Sequence, residues 1–250
     1  MSNLASTKHQ ASTAHRPRPL LDLLISIVIP AVILMRLSGD EDLGASTALI
    51  VALVFPLGWG LYEFVKYNKF NFIALLGLIS VVLTGGIGLL QLDPQWLAVK
   101  EAAIPGLIAI AVLISTRTPY PLIRTMLYKP GVINVEKIRQ RLHALGNNAA
   151  LESRLQNANY LLSGTFAFSA VMNYILASAV VTSPAGSAAF NEELGQLTLL
   201  SYPVIAIPSM LMMIAIFYYL WRTIHGMTGL TLEEIMVTQA GQEKQDKVSG

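Results

Sequence analysis

Hydrophobic residues fall in six long blocks separated by polar breaks, at residues 20–37, 43–65, 70–92, 98–115, 160–182 and 198–221. Each block approaches the ~20 residues that a helix rising ~1.5 Å per residue needs to cross a ~30 Å hydrocarbon layer. A helix closes its own backbone hydrogen bonds and lipid offers no others. The pattern therefore predicts an all-α, polytopic membrane protein with six transmembrane helices. Residues 1–19 are polar and are expected to form a disordered tail, 20–221 the membrane domain, and 222–250 a second polar tail. Arg16 and Arg18 before the first block resemble the start of a signal peptide, but no small-x-small cleavage site follows, so an uncleaved first helix is expected.

The breaks are short except at 116–159. There Pro119 and Pro121 stop the fourth helix, and Asn134 is placed to cap a helix of about 135–145. Val135, Ile138, Leu142 and Leu145 recur on one face of this amphipathic cytoplasmic helix, with Lys137, Arg139 and Arg141 off the stripe. Two readings follow. The helix lies on anionic lipid or a partner, or it is a connector resting on the ends of the protein's own helices. A second stretch with Leu151 and Leu155 leads into the fifth block, while Glu192 to Gly195 reads as a loop before the sixth. Thr231 and Glu234 form a capping-box pattern that predicts a helix over 232–240.

Charge sets the orientation. Of the 17 Lys and Arg residues, all but Arg36 and Lys100 fall in the tails and the second and fourth breaks. The opposite set carries Asp40, Glu41, Asp42, Asp93, Glu101, Glu192 and Glu193. Basic connections stay on the cytoplasmic side, so both termini are expected there.

Composition narrows the chemistry. Charged residues are 13% of the chain, against about 25% in soluble domains. There is no cysteine, which excludes disulfides, thiol nucleophiles and thiolate metal sites. A formal net charge of +2 gives no reason to expect nucleic acid. His9, His15, His143 and His225 lie scattered outside the blocks, and no metalloprotease, nucleophile-elbow or phosphate-loop pattern occurs. The chain is expected to be non-enzymatic, with no catalytic residue, cofactor or metal.

Polar residues in a bilayer are costly, so each is a candidate. Asp22 opens the first block, and Glu63 sits near Lys66 at the end of the second. Thr84 begins a run of small residues, Thr84-Gly85-Gly86-Ile87-Gly88, suited to close helix approach. Lys100 and Glu101 open the fourth block; Lys100 is expected to pair with Asp93 or to hold an anionic group. Ser169, Asn173 and Ala177 form a stripe suited to interhelical hydrogen bonds, with Asn173 facing the bundle interior. Pro105, Pro203 and Pro208 are hinge candidates.

Several short segments carry a likeness to a known family. They are Asp22-Leu23-Leu24, Leu83-Thr84-Gly85-Gly86, Asp93-Pro94-Gln95-Trp96 with Lys100, Val112-Leu113-Ile114-Ser115, Pro121 to Leu127, and Met172-Asn173-Tyr174-Ile175-Leu176-Ala177. In order and spacing the chain resembles the intracellular septation protein A family of bacterial inner-membrane proteins, closer to its uncharacterised proteobacterial branch. The resemblance implies support of envelope biogenesis or septation through contacts with other membrane proteins, and no catalytic residues. The partners it leaves open, besides the lipid bilayer, are division or wall-synthesis proteins and a second copy of the chain. The alternative is a small transporter or channel. What separates the two is whether Thr84, Lys100, Glu101 and Asn173 converge on a water-accessible cavity.

Overall fold

The computed structural model describes residues 24–67, 72–128 and 133–235. Among them all regular structure is helical. A π-helical turn at Leu24–Val28 leads into α1 (Ile29–Arg36), followed by α2 (Ala45–Tyr67), α3 (Phe72–Leu89) and α4 (Gln95–Ser115). Then come the short α5 (Leu122–Leu127) and α6 (Val135–Ala144), the long α7 (Asn148–Val180) and α8 (Ala188–Ser201). A second π-helical turn, Tyr202–Ala206, joins α8 to α9 (Ile207–Thr228), and α10 (Leu232–Ile235) ends the described chain.

Each predicted apolar block lies mainly on helix where it is described, and only block ends such as Leu37, Leu43, Leu90 to Leu92 and Val181 fall outside. Three helical stretches are long and apolar enough to cross a membrane, Gln95–Ser115, Asn148–Val180 and Ala188–Thr228, and shorter apolar helices run at Ala45–Trp59 and Ile79–Leu89. The chain is thus a helical membrane protein.

Two boundaries differ from the predicted ones. The fifth helix starts at Asn148 and not near residue 160, because its first turns (Asn148 to Asn159) are helix-forming but polar. The expected loop at Glu192 to Gly195 is instead the second turn of α8, capped by the Ser187 hydroxyl, which accepts the Phe190 N–H at 3.1 Å. The helix continues through the π turn for 41 residues. Pro203 lies within that turn and Pro208 just after it, so both prolines fall where the regular α-helical hydrogen bonding is interrupted.

Hydrophobic side chains gather in two cores, one at each end of the bundle. The first joins Leu34 of α1, Leu49 of α2, Ile87 of α3, Leu97 of α4, Ala177 of α7 and Phe190 of α8. The second joins Val112 of α4, Ile123 of α5, Ile138 and Leu142 of α6, Leu155 of α7 and Leu220 of α9. Connections 37–44, 90–94 and 181–187 meet at the first end. There the buried Asn191 donates to the Ser38 hydroxyl and the Ala45 carbonyl, and the Glu193 carboxylate accepts from the backbone N–H groups of Thr182 and Ser183. At the second end α6, α10 and the start of α7 gather, so among the described residues the acidic connections lie at the opposite pole from Lys137, Arg139 and Arg141.

Small residues set how closely the helices approach. A Cβ on Gly85 would sit 2.6 Å from Leu53 Cδ1, and one on Gly88 2.5 Å from Leu49 Cδ2. Glycines at these positions let α3 lie directly on α2. Gly195 does the same for α8 on α1, where an added Cβ would stand 2.9 Å from the Ala31 carbonyl oxygen.

Candidate functional site

Between the two cores the bundle encloses polar groups. Lys100 is the sixth residue of α4, roughly 8 Å from that helix's start. Its ammonium donates to Ser80 Oγ at 3.2 Å and to Thr84 Oγ1 at 2.7 Å, and pairs with Glu101 Oε1 at 2.6 Å. The Thr84 hydroxyl gives its own proton to the Ser80 carbonyl one turn earlier, at 3.0 Å, which leaves a lone pair for Lys100. A lysine near a helix N-terminus opposes the helix dipole, and burying its charge adds a desolvation cost. The two hydroxyls and the carboxylate offset both.

The Lys100 side chain is only 8% exposed and that of Glu101 30%. The ammonium is sealed into the helix contact while the carboxylate reaches open space. Asp93 takes no part. Its carboxylate accepts the Gln95 N–H at 2.8 Å and caps the start of α4, so the expected Asp93–Lys100 pair does not form.

Two clefts meet at this cluster. The larger, of about 470 Å³, has apolar walls including Leu49, Leu53, Leu194 and Ile205, with Thr198 and Tyr202 towards α9. The smaller, of about 270 Å³, is lined by Ile104, Pro105, Ile108 and Phe166. Ser80, Lys100, Glu101 and Asn173 border both. Thr84, Lys100, Glu101 and Asn173 therefore converge on open volume. The larger cleft falls within the roughly 300–1,000 Å³ of small-molecule sites, mostly apolar walls with a few convergent polar groups.

Asn173 lines the clefts, but its amide donates to the Ser169 carbonyl at 2.7 Å and the Ser169 hydroxyl at 3.3 Å, within α7. The expected interhelical bond is absent because the neighbouring volume is cleft and not helix. Pro105, inside α4, lines the smaller cleft and has no N–H to offer the carbonyl of Glu101 four residues back. Pro203 lies within, and Pro208 just after, the turn whose Tyr202, Ile205 and Ala206 wall the larger cleft. Asp22 and the side chain of Glu63 lie outside the described residues.

The amphipathic helix α6 packs against the bundle. Asn134 Oδ1 accepts the Lys137 N–H at 3.1 Å, capping α6, and Ile138 and Leu142 are buried in the second core. Val135 is half-buried. Leu145 follows the helix and is exposed, so the stripe predicted through it ends at Leu142. Glu234 accepts from the Thr231 N–H at 3.0 Å and from Lys137 at 2.9 Å, tying α10 to α6. These bonds, the Thr231 backbone first and Lys137 next, hold its carboxyl down at about 2.

Two polar residues that sequence reasoning passed over prove central. Asn159 is fully buried; its amide donates to the Val112 carbonyl at 2.9 Å and to the Ser115 and Thr116 hydroxyls, and its oxygen accepts the Ile123 N–H at 3.1 Å. Asn191 is also fully buried, and its Oδ1 has no hydrogen-bond partner among the described residues. The signal that could have found them is an asparagine on the apolar face of a helix, since that face turns inward. Among the described residues no group of His, Cys, Asp and Glu could hold a metal ion. Comparison of the chain with protein-family models, with curated proteins and with solved structures finds no match.

Proposed function

We propose that this chain is a small multi-pass transporter or channel of the inner membrane, with six crossings and both termini in the cytoplasm. The observation that carries the reading is the convergence of Lys100, Glu101, Asn173, Ser80 and Thr84 where two clefts meet. A bundle built only to hold partners gains nothing from an ion pair set beside empty volume, whose desolvation costs several kcal/mol in order of magnitude. The segregation of acidic and basic connections to opposite poles supports the topology. The scaffold role in envelope biogenesis or septation, drawn from the family resemblance, calls for a free docking surface. The helix that offered one uses Ile138 and Leu142 in its own core, so transport takes precedence.

The chain has no cysteine, so single cysteines can be placed without background. In oriented membranes Thr198→Cys and Asn173→Cys are expected to react with a membrane-impermeant, water-soluble thiol reagent. Leu107→Cys, on a 67% exposed site of α4, is expected not to. Asp42→Cys and Gln140→Cys should label from opposite sides. A silent Thr198 and Asn173 would mean a dry bundle and sink the transport reading; same-sided labelling of Asp42 and Gln140 would overturn the topology.

A further inference from the structure

We infer that the larger cleft takes an amphiphile with an apolar body and a hydrogen-bond-donating, cationic head, such as an alkylammonium, with the head on Glu101. The inference rests on the transport reading and deepens it by assigning the ligand's chemical class.

The argument is one of valence. An ammonium has three N–H donors and no acceptor. Those of Lys100 are matched one for one by Ser80 Oγ, Thr84 Oγ1 and Glu101 Oε1. Although it borders both clefts, Lys100 has no free donor left for an anionic head, contrary to the expectation from sequence. Glu101 is in the reverse position. Only Oε1 is engaged; Oε2 takes no hydrogen bond among the described residues, and the side chain borders both clefts.

The groups beside it are acceptors too. Asn173 spends its amide N–H groups on Ser169, which leaves its oxygen without a described donor. Pro105 withholds an N–H from the Glu101 carbonyl, and Pro56 likewise from the carbonyl of Ala52, a wall residue of the larger cleft. The polar end of the cleft therefore presents a carboxylate oxygen and an amide oxygen with no described donor, and beside them only the uncharged hydroxyls of Ser80 and Tyr202 can donate. A carboxylate or phosphate head would be buried there beside the Glu101 carboxylate with no free cation to meet it, a poor state for an anion. A donor cation would gain a charge-assisted bond to Oε2. The rest of the wall, with Leu49, Leu53, Leu194, Leu197 and Ile205, suits an aliphatic body. Lys100 on this view is a positioning residue: it fixes the Glu101 carboxylate through Oε1 and does not itself bind.

The test is equilibrium dialysis of the full chain in nanodiscs, with empty nanodiscs as the blank, using octylammonium and octanoate at neutral pH. Octylammonium is expected to bind saturably and at least about tenfold tighter than octanoate, the factor that one charge-assisted hydrogen bond supplies. Glu101→Gln should erase that preference. Thr198→Phe, which fills the cleft away from the ion pair, should abolish saturable binding while circular dichroism shows a folded helix bundle. If octanoate binds as tightly as octylammonium or tighter, the charge assignment is overturned and the cleft remains a ligand site. If neither probe binds saturably, the inference and the transport reading beneath it both fail. Should Glu101→Gln bind octylammonium unchanged while folded, the head does not sit on Glu101 and the inference is wrong.

Discussion

Replacing Asn159 by leucine keeps the size of the side chain and removes all of its hydrogen bonds. Its donor side is the lesser loss. The Val112 carbonyl still accepts from the Ser115 and Thr116 hydroxyls, at 2.7 and 3.2 Å, and from the Thr116 N–H. Its acceptor side is the greater. The Ile123 N–H is one of the first amides of α5, with no partner within its own helix, and Asn159 Oδ1 is its acceptor in a buried setting. An orphaned buried N–H costs about 1–3 kcal/mol, and the weakened donor contacts add about 1. Burial of the new aliphatic carbons offsets part of this, which leaves a net loss of about 2 kcal/mol. For a chain of this size that corresponds to a melting temperature lowered by roughly 4–8 °C. Far-ultraviolet circular dichroism in a mild detergent measures the shift, and amide hydrogen exchange locates it. Ile123 should lose protection in Asn159→Leu and keep most of it in Asn159→Asp, which retains an acceptor oxygen. A leucine variant that melts with the parent and still protects Ile123 would show that this network does not hold the α4–α5–α7 junction.

Two further outcomes follow from the geometry. Gly88→Ala puts a methyl 2.5 Å from Leu49 Cδ2 and 3.3 Å from Phe190 Cε1, and should cost about 1–3 kcal/mol in thermal or denaturant unfolding. Gly86→Ala meets nothing within 4 Å and should be neutral or stabilising by up to about 1 kcal/mol, so equal effects would refute the close-approach account of this run. Glu234 titrates at about 2 in the folded chain, below its ordinary 4.5. Its hold on α6 is thus fully present above about pH 4.5 and lost as pH falls towards 2. The protection factor of the Asn134 amide, which donates to the Ile235 carbonyl, taken against the intrinsic exchange rate at each pH, should fall over that window and stay constant with pH in Glu234→Gln.

Features whose cause is local were open to reading from the sequence. The Asn134 cap bonds a residue three positions away, and the pairing of Thr231 with Glu234 spans the same distance. The apolar blocks lie on helices because lipid leaves the backbone no alternative. The start of α7 was hidden because hydropathy reports where the lipid begins and not where the helix does. The long-range hydrogen bonds were not legible. Asn159 reaches partners 36 to 47 positions away and Asn191 partners 146 and 153 away, so neither shows in a pattern of neighbours. The site falls between these cases. Its residues stood out as charges in an apolar setting, but which end of Lys100–Glu101 was spent and which was free depended on Ser80 and Thr84, one helix earlier.

That one-helix interval also bears on how the protein is made. Synthesis runs from the N-terminus, so α3 emerges from the ribosome before α4, and the hydroxyls of Ser80 and Thr84 precede Lys100 by 20 and 16 residues. When the fourth apolar block reaches the insertion machinery, its lysine arrives with a neutralising carboxylate as its immediate neighbour and acceptors already in place. A charge that would discourage insertion of an isolated segment is received by a prepared partner. The order of the helices along the chain thus works as an assembly sequence, and moving this ion pair to an earlier helix would have it enter the membrane before anything was there to meet it.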